Sequence, residues 1–412
     1  MTSRDLSLYS KVTEEEYNIV AGSDWPSYND FLENKNVTSS IYDEINSMLW
    51  NLEKFNNPAF CILPFYGLEL PQNTPCCIMQ PGHDINQVKQ DMLNGIRNSA
   101  CRACWSLEDR GIKSDRIIKN ETLDFYSKKD IKLIYNECAN NENLIINYKI
   151  DTNNTCNATC ITCNSHASSS WANLERKNGI TPNKSWNIKV RDLNNRIDYA
   201  NAKSIGFRGG EPFLSKTNFD ILEKLIEIGN TDCFINFTTN GSSDILDYQK
   251  NILRKFKNIN FCFSIDGIGP VFEYMRYPLT WDKLEENLEY CRKNNILISA
   301  SYTVSNLNIL YHEQTVDWFN KNNIEFLINP VKTPFYFNAK ALPSGIKDYI
   351  LKHQTNPLAQ LLFQTHSDRD DVNYGIFQKE IKKQDQWKNI SMADYLPELA
   401  ELMVANENKE II

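Results

Sequence analysis

No run of eighteen apolar residues occurs in this sequence, so no segment reads as a membrane span. Basic residues are not in excess. The 44 Lys and Arg stand against 52 Asp and Glu, a net charge of −8 with a pI near 5.4, which argues against a general nucleic-acid binder with a basic face. The opening stretch MTSRDLSLYSKVTEEEYN is polar and acidic and does not read as an export signal. No repeat, low-complexity tract or charge block stands out. Twelve cysteines without an export signal point to metal or cluster ligation in a reducing compartment, not to disulfides. The expectation is a cytoplasmic, oxygen-sensitive metalloprotein.

What is present centres on LIINYKIDTNNTCNATCITCNSHASSSW, residues 144–171, which places Cys156, Cys160 and Cys163 in the spacing C-x3-C-x2-C. An apolar β-branched run precedes the loop, and a Ser/Ala-rich segment that can start a helix follows, with Asn164 and Ser165 as candidate caps. Strand, cysteine loop, helix is the order expected where a ligand sits at the C-terminal end of a parallel strand. Three thiolates this close can hold three corners of a cubane iron–sulfur cluster and leave the fourth iron open. A zinc site completed by His166, or buried free cysteines, is the competing reading.

These residues resemble the radical S-adenosylmethionine (radical SAM) enzymes, whose signature is this C-x3-C-x2-C. Further features of that family follow in order: GFRGGEP at 206–212, FTTNG at 237–241, FSIDG at 263–267 and YMRYPLTWDKLEENL at 274–288. The resemblance implies reductive cleavage of SAM at a 4Fe–4S cluster to a 5′-deoxyadenosyl radical that takes a hydrogen atom from substrate. It implies that Gly209, Gly210, Glu211 and Pro212 receive the SAM amino group and that Ser264 and Asp266 contact the ribose, where an Asp-Gly turn would serve equally. Thr238 and Asn240 would line the same pocket, and Thr303, Val304, Ser305 and Asn306 would hold adenine or the SAM carboxylate. Arg276 is a candidate carboxylate clamp, since guanidinium matches carboxylate geometry, or else a surface ion pair. Two residues depart from the pattern. Thr162 stands where relatives carry a large apolar residue, and Arg208 puts positive charge ahead of the glycines. No catalytic side chain is assigned.

At 412 residues the chain suggests two or more domains. Residues 1–57 read as a helical leader in which Ser39 or Ser40 caps a helix carrying Ile41, Ile45, Met48, Leu49 and Leu52. In residues 58–141, the stretch up to Trp105 holds Cys61, Cys76, Cys77, Cys101 and Cys104, in a β-hairpin interrupted by Pro71, Asn73 and Pro75 and a helix with Ile85, Val88, Met92 and Ile96 on one face. A zinc knuckle would use such cysteines. Five exceed the four that either centre needs, so one of the adjacent pair is spare, and His83 reads as a surface loop residue. The block resembles the twitch domain, a short relative of the SPASM auxiliary-cluster domain, in C-x2-P-[FW], PCC, C-x2-C and SLEDRGIKSDR (106–116). That resemblance implies a second 4Fe–4S cluster on Cys61, Cys76, Cys101 and Cys104, ahead of zinc. In many relatives this domain follows the barrel, whereas here it precedes it.

Residues 142–335 form the core. Strands are expected at 144–150, 203–208, 233–239, 259–265, 296–304 and 325–331, with helices near 166–178, 218–229, 244–257, 281–294 and 311–322. Six β–α repeats imply a parallel sheet with right-handed crossovers, too few to close an eight-stranded barrel. The fold expected is α/β, a partial (β/α)6 TIM-like barrel with an N-terminal auxiliary domain and a C-terminal helical cap over 336–412. In that cap, helices at 344–353, 357–365, 376–388 and 393–405 pack through Leu396, Leu399, Leu402 and Met403. The function expected is a radical SAM oxidoreductase or modifying enzyme acting on a peptide or protein, with a flavodoxin- or ferredoxin-type electron donor. The alternatives are a small-molecule substrate such as a nucleoside or sugar, or an interaction protein on an inactive barrel.

Overall fold

The computed structural model describes Ser27 and residues 57–80, 82–109, 114–121, 131–140, 145–363 and 368–408. The helix expected over 41–52 lies outside the described residues. The chain divides into two compact units, Met1–Asn147 and Tyr148–Ile412. Among the described residues no helix is long and apolar enough to cross a membrane.

The second unit is built on strands that lie side by side in chain order. They are β2 (Asn147–Asp151, starting at the join), β3 (Ser204–Arg208), β4 (Phe234–Thr239), β5 (Ile259–Ser264), β6 (Leu297–Val304) and β7 (Glu325–Pro330); β1 belongs to the first unit. The pairings from β3 to β7 are parallel, in a register that sets Phe207 against Phe237 and Phe237 against Phe261. Parallel neighbours need crossovers, supplied by helices at Lys216–Ile228, Asp247–Leu253, Trp281–Lys293 and His312–Lys321. The expected partial (β/α) barrel is therefore the fold found. Strand positions agree with expectation to within a few residues.

Side-chain alternation gives the sheet two unlike faces. On one face Phe237 stacks on Phe219 of the first crossover helix, and Phe326 stacks on Phe319 of the last. Phe207, Phe213 and Phe261 extend this core. The opposite face is polar. There Asn260 donates to Asn236 Oδ1 at 2.6 Å and to Ser299 Oγ at 2.8 Å, and Asn329 donates to Ser301 Oγ at 3.0 Å.

The C-terminal helices pack on this unit. The helix expected at 376–388 starts earlier, as Asp368–Lys388, and buries Phe377 against Phe337. The one expected at 393–405 is two, Met392–Tyr395 and Pro397–Glu407, because Pro397 interrupts the backbone ladder and restricts the residue before it. Leu396, Leu399 and Leu402 are buried, as their spacing predicts, while Met403 is half-buried.

In the first unit the expected hairpin is not formed. Leu63–Tyr66 is a helical turn, β1 (Gly67–Leu70) follows it, and the return consists of a single antiparallel bridge from Glu69 to Thr74. Pro71 and Pro75 remove ladder donors on either side. The helix Ile85–Leu93 buries Val88 and Met92, but Ile96 falls beyond its end and is exposed. Arg116 ties the unit together. It pairs with Glu108 through Nε at 2.9 Å and Nη2 at 2.7 Å, donates to the Phe60 carbonyl at 2.6 Å, and covers the Trp105 ring.

Candidate cofactor site

The cysteine loop leaves the C-terminal end of β2 and is pinned along its length. Thr152 Oγ1 meets Ser215 Oγ at 2.8 Å and Asn153 Nδ2 donates to the same oxygen at 2.9 Å. The Thr159 and Ile161 amides donate to the Tyr277 and Met275 carbonyls. The helix after the loop, Ser169–Lys177, is capped by Ser168 rather than by Asn164 or Ser165. The serine run predicted to start that helix also holds the loop, since Ser168 donates to the Ala158 carbonyl at 2.6 Å and Ser170 to that of Cys156 at 2.7 Å. Trp171 Nε1 takes the Cys160 carbonyl at 2.9 Å and Gln384 takes that of Ile161 at 3.2 Å. None of these bonds uses a sulfur atom.

Two of the three sulfurs face donors: Asn240 Nδ2 lies 3.9 Å from Cys156 Sγ, and Arg276 Nη1 lies 3.8 Å from Cys160 Sγ. Burial, then the neighbouring cysteines, pushes the Cys156 thiol up to about 11 and that of Cys163 to about 12. A metal must displace those protons. His166 is exposed. Among the described residues no three Cys, His, Asp or Glu side chains converge as one ion requires. A cubane binds each cysteine on a different iron, so its ligands stand apart. Three thiols on one pinned loop, with an amide and a guanidinium donor facing two of them, fit that arrangement better than a Cys3His zinc site.

The glycines after β3 meet the cysteine loop directly. The Gly210 amide donates to the Asn153 carbonyl at 3.0 Å and the Glu211 amide to that of Thr155 at 2.7 Å. A Cβ on Gly210 would stand 2.1 Å from the Thr155 oxygen, and Gly209 has φ +100° with the Asn153 oxygen 2.6 Å from its Cβ position, so only glycine fits either place. Glu211, 1% exposed, joins this loop to the end of β4. Its Oε1 accepts from Thr239 Oγ1 at 2.7 Å and the Phe213 amide at 3.2 Å, and its Oε2 accepts from the Asn240 amide at 2.8 Å. A carboxylate has about four acceptor sites, so one is left for a further donor. Burial raises the Glu211 pKa from 4.5 to about 7 against the pull of those bonds. Below the unfolded value both states are protonated. Between about 4.5 and 7 the native state keeps a proton that the unfolded chain has lost, so stability falls as pH rises through that window. Urea unfolding of the wild type across pH 4.5–7.5 should lose up to about 3 kcal/mol relative to Glu211→Gln. Equal slopes in the two proteins would contradict this.

Asp266, just beyond β5, is the second hub. Its Oδ1 accepts from the Thr303 amide at 2.9 Å, and its Oδ2 lies 2.7 Å from Arg276 Nε. The Nε–H is not aligned on that oxygen, so the contact is one of charge and not a formed hydrogen bond. Burial opposes the Arg276 charge, and Asp266 with Cys160 outweighs it. Arg276 is thus a half-buried bridge between the buried Asp266 and Cys160, not a surface ion pair. Ser305 is fully buried and bonded to Asn308. Ser264 and Thr238 are half-buried on the polar face of the sheet. Arg208 pairs with Asp151 at 3.2 Å, which offsets the charge it brings. The sequence motifs do not single out Thr239, Trp171, Asn236, Asn260, Gln384 or Lys388. Asn236 and Asn260 were legible in the alternation of their strands. No motif surrounds the residues from the C-terminal helix.

In the first unit, Cys61, Cys76, Cys101 and Cys104 line one pocket together with Met79, Asp115 and Arg116. Cys77 is exposed and His83 half-buried, and neither is among the lining residues. Burial raises the Cys76 thiol to about 11 and that of Cys101 to about 12.

Residues 150–319 match the model of the Radical SAM superfamily. Among solved structures the chain is similar to native anSMEcpe with bound AdoMet, at 19% identity over 47% of this chain and 56% of that one, with a TM-score of 0.35. It is also similar to Streptococcus suis SuiB bound to S-adenosylmethionine, at 15% identity over 68% and 61% of the two chains, with a TM-score of 0.38. The matched region thus spans between half and two thirds of those chains. No curated protein sequence matches this one.

Proposed function

From the radical SAM match at residues 150–319, we propose that this chain is a radical SAM enzyme whose cluster is held by Cys156, Cys160 and Cys163. One observation carries the reading. The pinned cysteine loop, the Gly209–Pro212 loop and the Asp266–Arg276 pair are all joined at the C-terminal edge of one parallel sheet, the edge where such sheets bind ligands. A 4Fe–4S cluster with SAM supplies one-electron cleavage to methionine and a 5′-deoxyadenosyl radical. The protein residues bind and orient. The spare acceptor site of Glu211 suits the SAM ammonium, Ser264 and Thr238 offer hydroxyls on the polar face, and the Asn240 and Arg276 donors stabilise thiolate sulfur.

The four-cysteine cavity supports a second, fully ligated cluster, because four thiolates close every iron. Enzymes with such auxiliary centres commonly modify peptides, and a peptide or protein is the substrate class we propose. The amide- and hydroxyl-rich face formed by Asn236, Asn260, Ser299 and Ser301 favours a second reading, a small polar metabolite. Reconstituted enzyme with SAM and dithionite, given the macromolecular or the small-molecule fraction of a deuterated cell extract, separates the two. Deuterium entering 5′-deoxyadenosine from the macromolecular fraction supports the first reading, and from the small-molecule fraction the second. No 5′-deoxyadenosine from either would overturn the enzyme assignment.

A further inference from the structure

We propose that Lys388, from the end of the C-terminal helix Asp368–Lys388, is the counter-cation of the SAM-cleaving cluster and raises its reduction potential. The inference rests on the reading of Cys156, Cys160 and Cys163 as ligands of that cluster. Lys388 is 6% exposed, and its Nζ donates to Gln384 Oε1 at 2.9 Å and lies 4.7 Å from the centroid of the Trp171 ring. Both partners grip the cysteine loop: Gln384 donates to the Ile161 carbonyl and Trp171 to the Cys160 carbonyl. An ammonium has three donors, and one amide oxygen with an aromatic face does not replace its hydration.

The carboxylates near Lys388 are engaged elsewhere. Glu380 pairs with Lys383 and accepts from Gln384, while Asp385 accepts from Tyr274 Oη and the Met392 amide. Among the described residues none forms an ion pair with Lys388. Of the groups whose charge bears on it, Cys160 comes first, followed by Asp385, Glu380 and Cys163. Desolvating an unpaired ammonium costs several kcal/mol, and thiolates carrying an anionic cluster are the charge that offsets it. Arg276, near the same Cys160 sulfur, is compensated by Asp266 at 2.7 Å, whereas Lys388 has no direct ion-pair partner among the described residues and feels Asp385 and Glu380 only at longer range. Reduction adds one electron to the cluster, so a fixed cation beside it favours the reduced form.

The test is a redox titration of the anaerobically reconstituted full chain, following the electron paramagnetic resonance signal that changes when SAM is added. At the wild-type midpoint, Lys388→Met should lower the reduced-to-oxidised ratio about tenfold, the size of one charge interaction at the effective dielectric of a protein and equal to about 59 mV for one electron. Lys388→Arg should restore most of it. A Met variant that melts like the wild type yet holds no cluster, and is rescued by Arg, also supports the charge role. An unchanged midpoint in Lys388→Met, or loss of the cluster in both variants, would overturn it. A wild-type protein with no SAM-responsive signal would instead overturn the cluster assignment on which the inference rests.

Discussion

Replacing Cys156, Cys160 and Cys163 together with alanine is expected to abolish 5′-deoxyadenosine formation from SAM and dithionite, down to the level without enzyme. The effect should be complete because these thiols are the only ligand set on the cysteine loop. It should also be local. The loop is held by Ser168, Ser170, Trp171 and Gln384 on its carbonyls and by the Thr159 and Ile161 amides on the 275–277 segment. Those bonds survive the substitution. Each Cys→Ala change removes one sulfur from a half-buried or buried side chain, about 1 kcal/mol apiece at most, so the melting temperature should move by a few degrees. Undiminished 5′-deoxyadenosine from the triple variant would rule out the assignment.

The same triple variant should retain about four iron per chain and a visible absorbance that dithionite bleaches, all of it from the first unit. Adding Cys101→Ala and Cys104→Ala should remove both. Cys76→Ala should lose this centre while Cys77→Ala keeps it, since Cys76 lines the cavity and Cys77 is exposed. The competitor is zinc, which draws four thiolates to about 2.3 Å around one point and leaves no room between them. Stoichiometric zinc and no iron after anaerobic purification would decide for zinc.

Local signals carried much of the second unit. Strands such as Phe234–Thr239 and Ile259–Ser264 are short β-branched and aromatic runs bounded by turns, and in a parallel sheet each is stabilised by neighbours of the same kind. The hairpin around β1 failed because two prolines remove the donors that a second strand needs. By residue type Ser168 is no better a cap than Asn164 or Ser165, and only the Trp171 amide donating to its hydroxyl decides among them. The glycines before Glu211 were expected to admit a ligand, and they admit the backbone of the cysteine loop. Lys388 and Gln384 were illegible for a different reason. Their role depends on packing across more than two hundred residues, which no local pattern encodes.

That separation has a consequence for how the protein is made. The strands lie in the order in which they are synthesised, so each can join the growing sheet edge as it leaves the ribosome, with little loop-closure entropy to overcome. The cysteine loop is exempt from this economy. The bond from Gln384 to the Ile161 carbonyl spans 223 residues, which at about 5–20 residues per second is roughly 10–45 s of translation. For that interval the nascent thiols stand without the helix that backs them. Iron delivered early would meet an open loop, whereas iron delivered after release would meet a finished one.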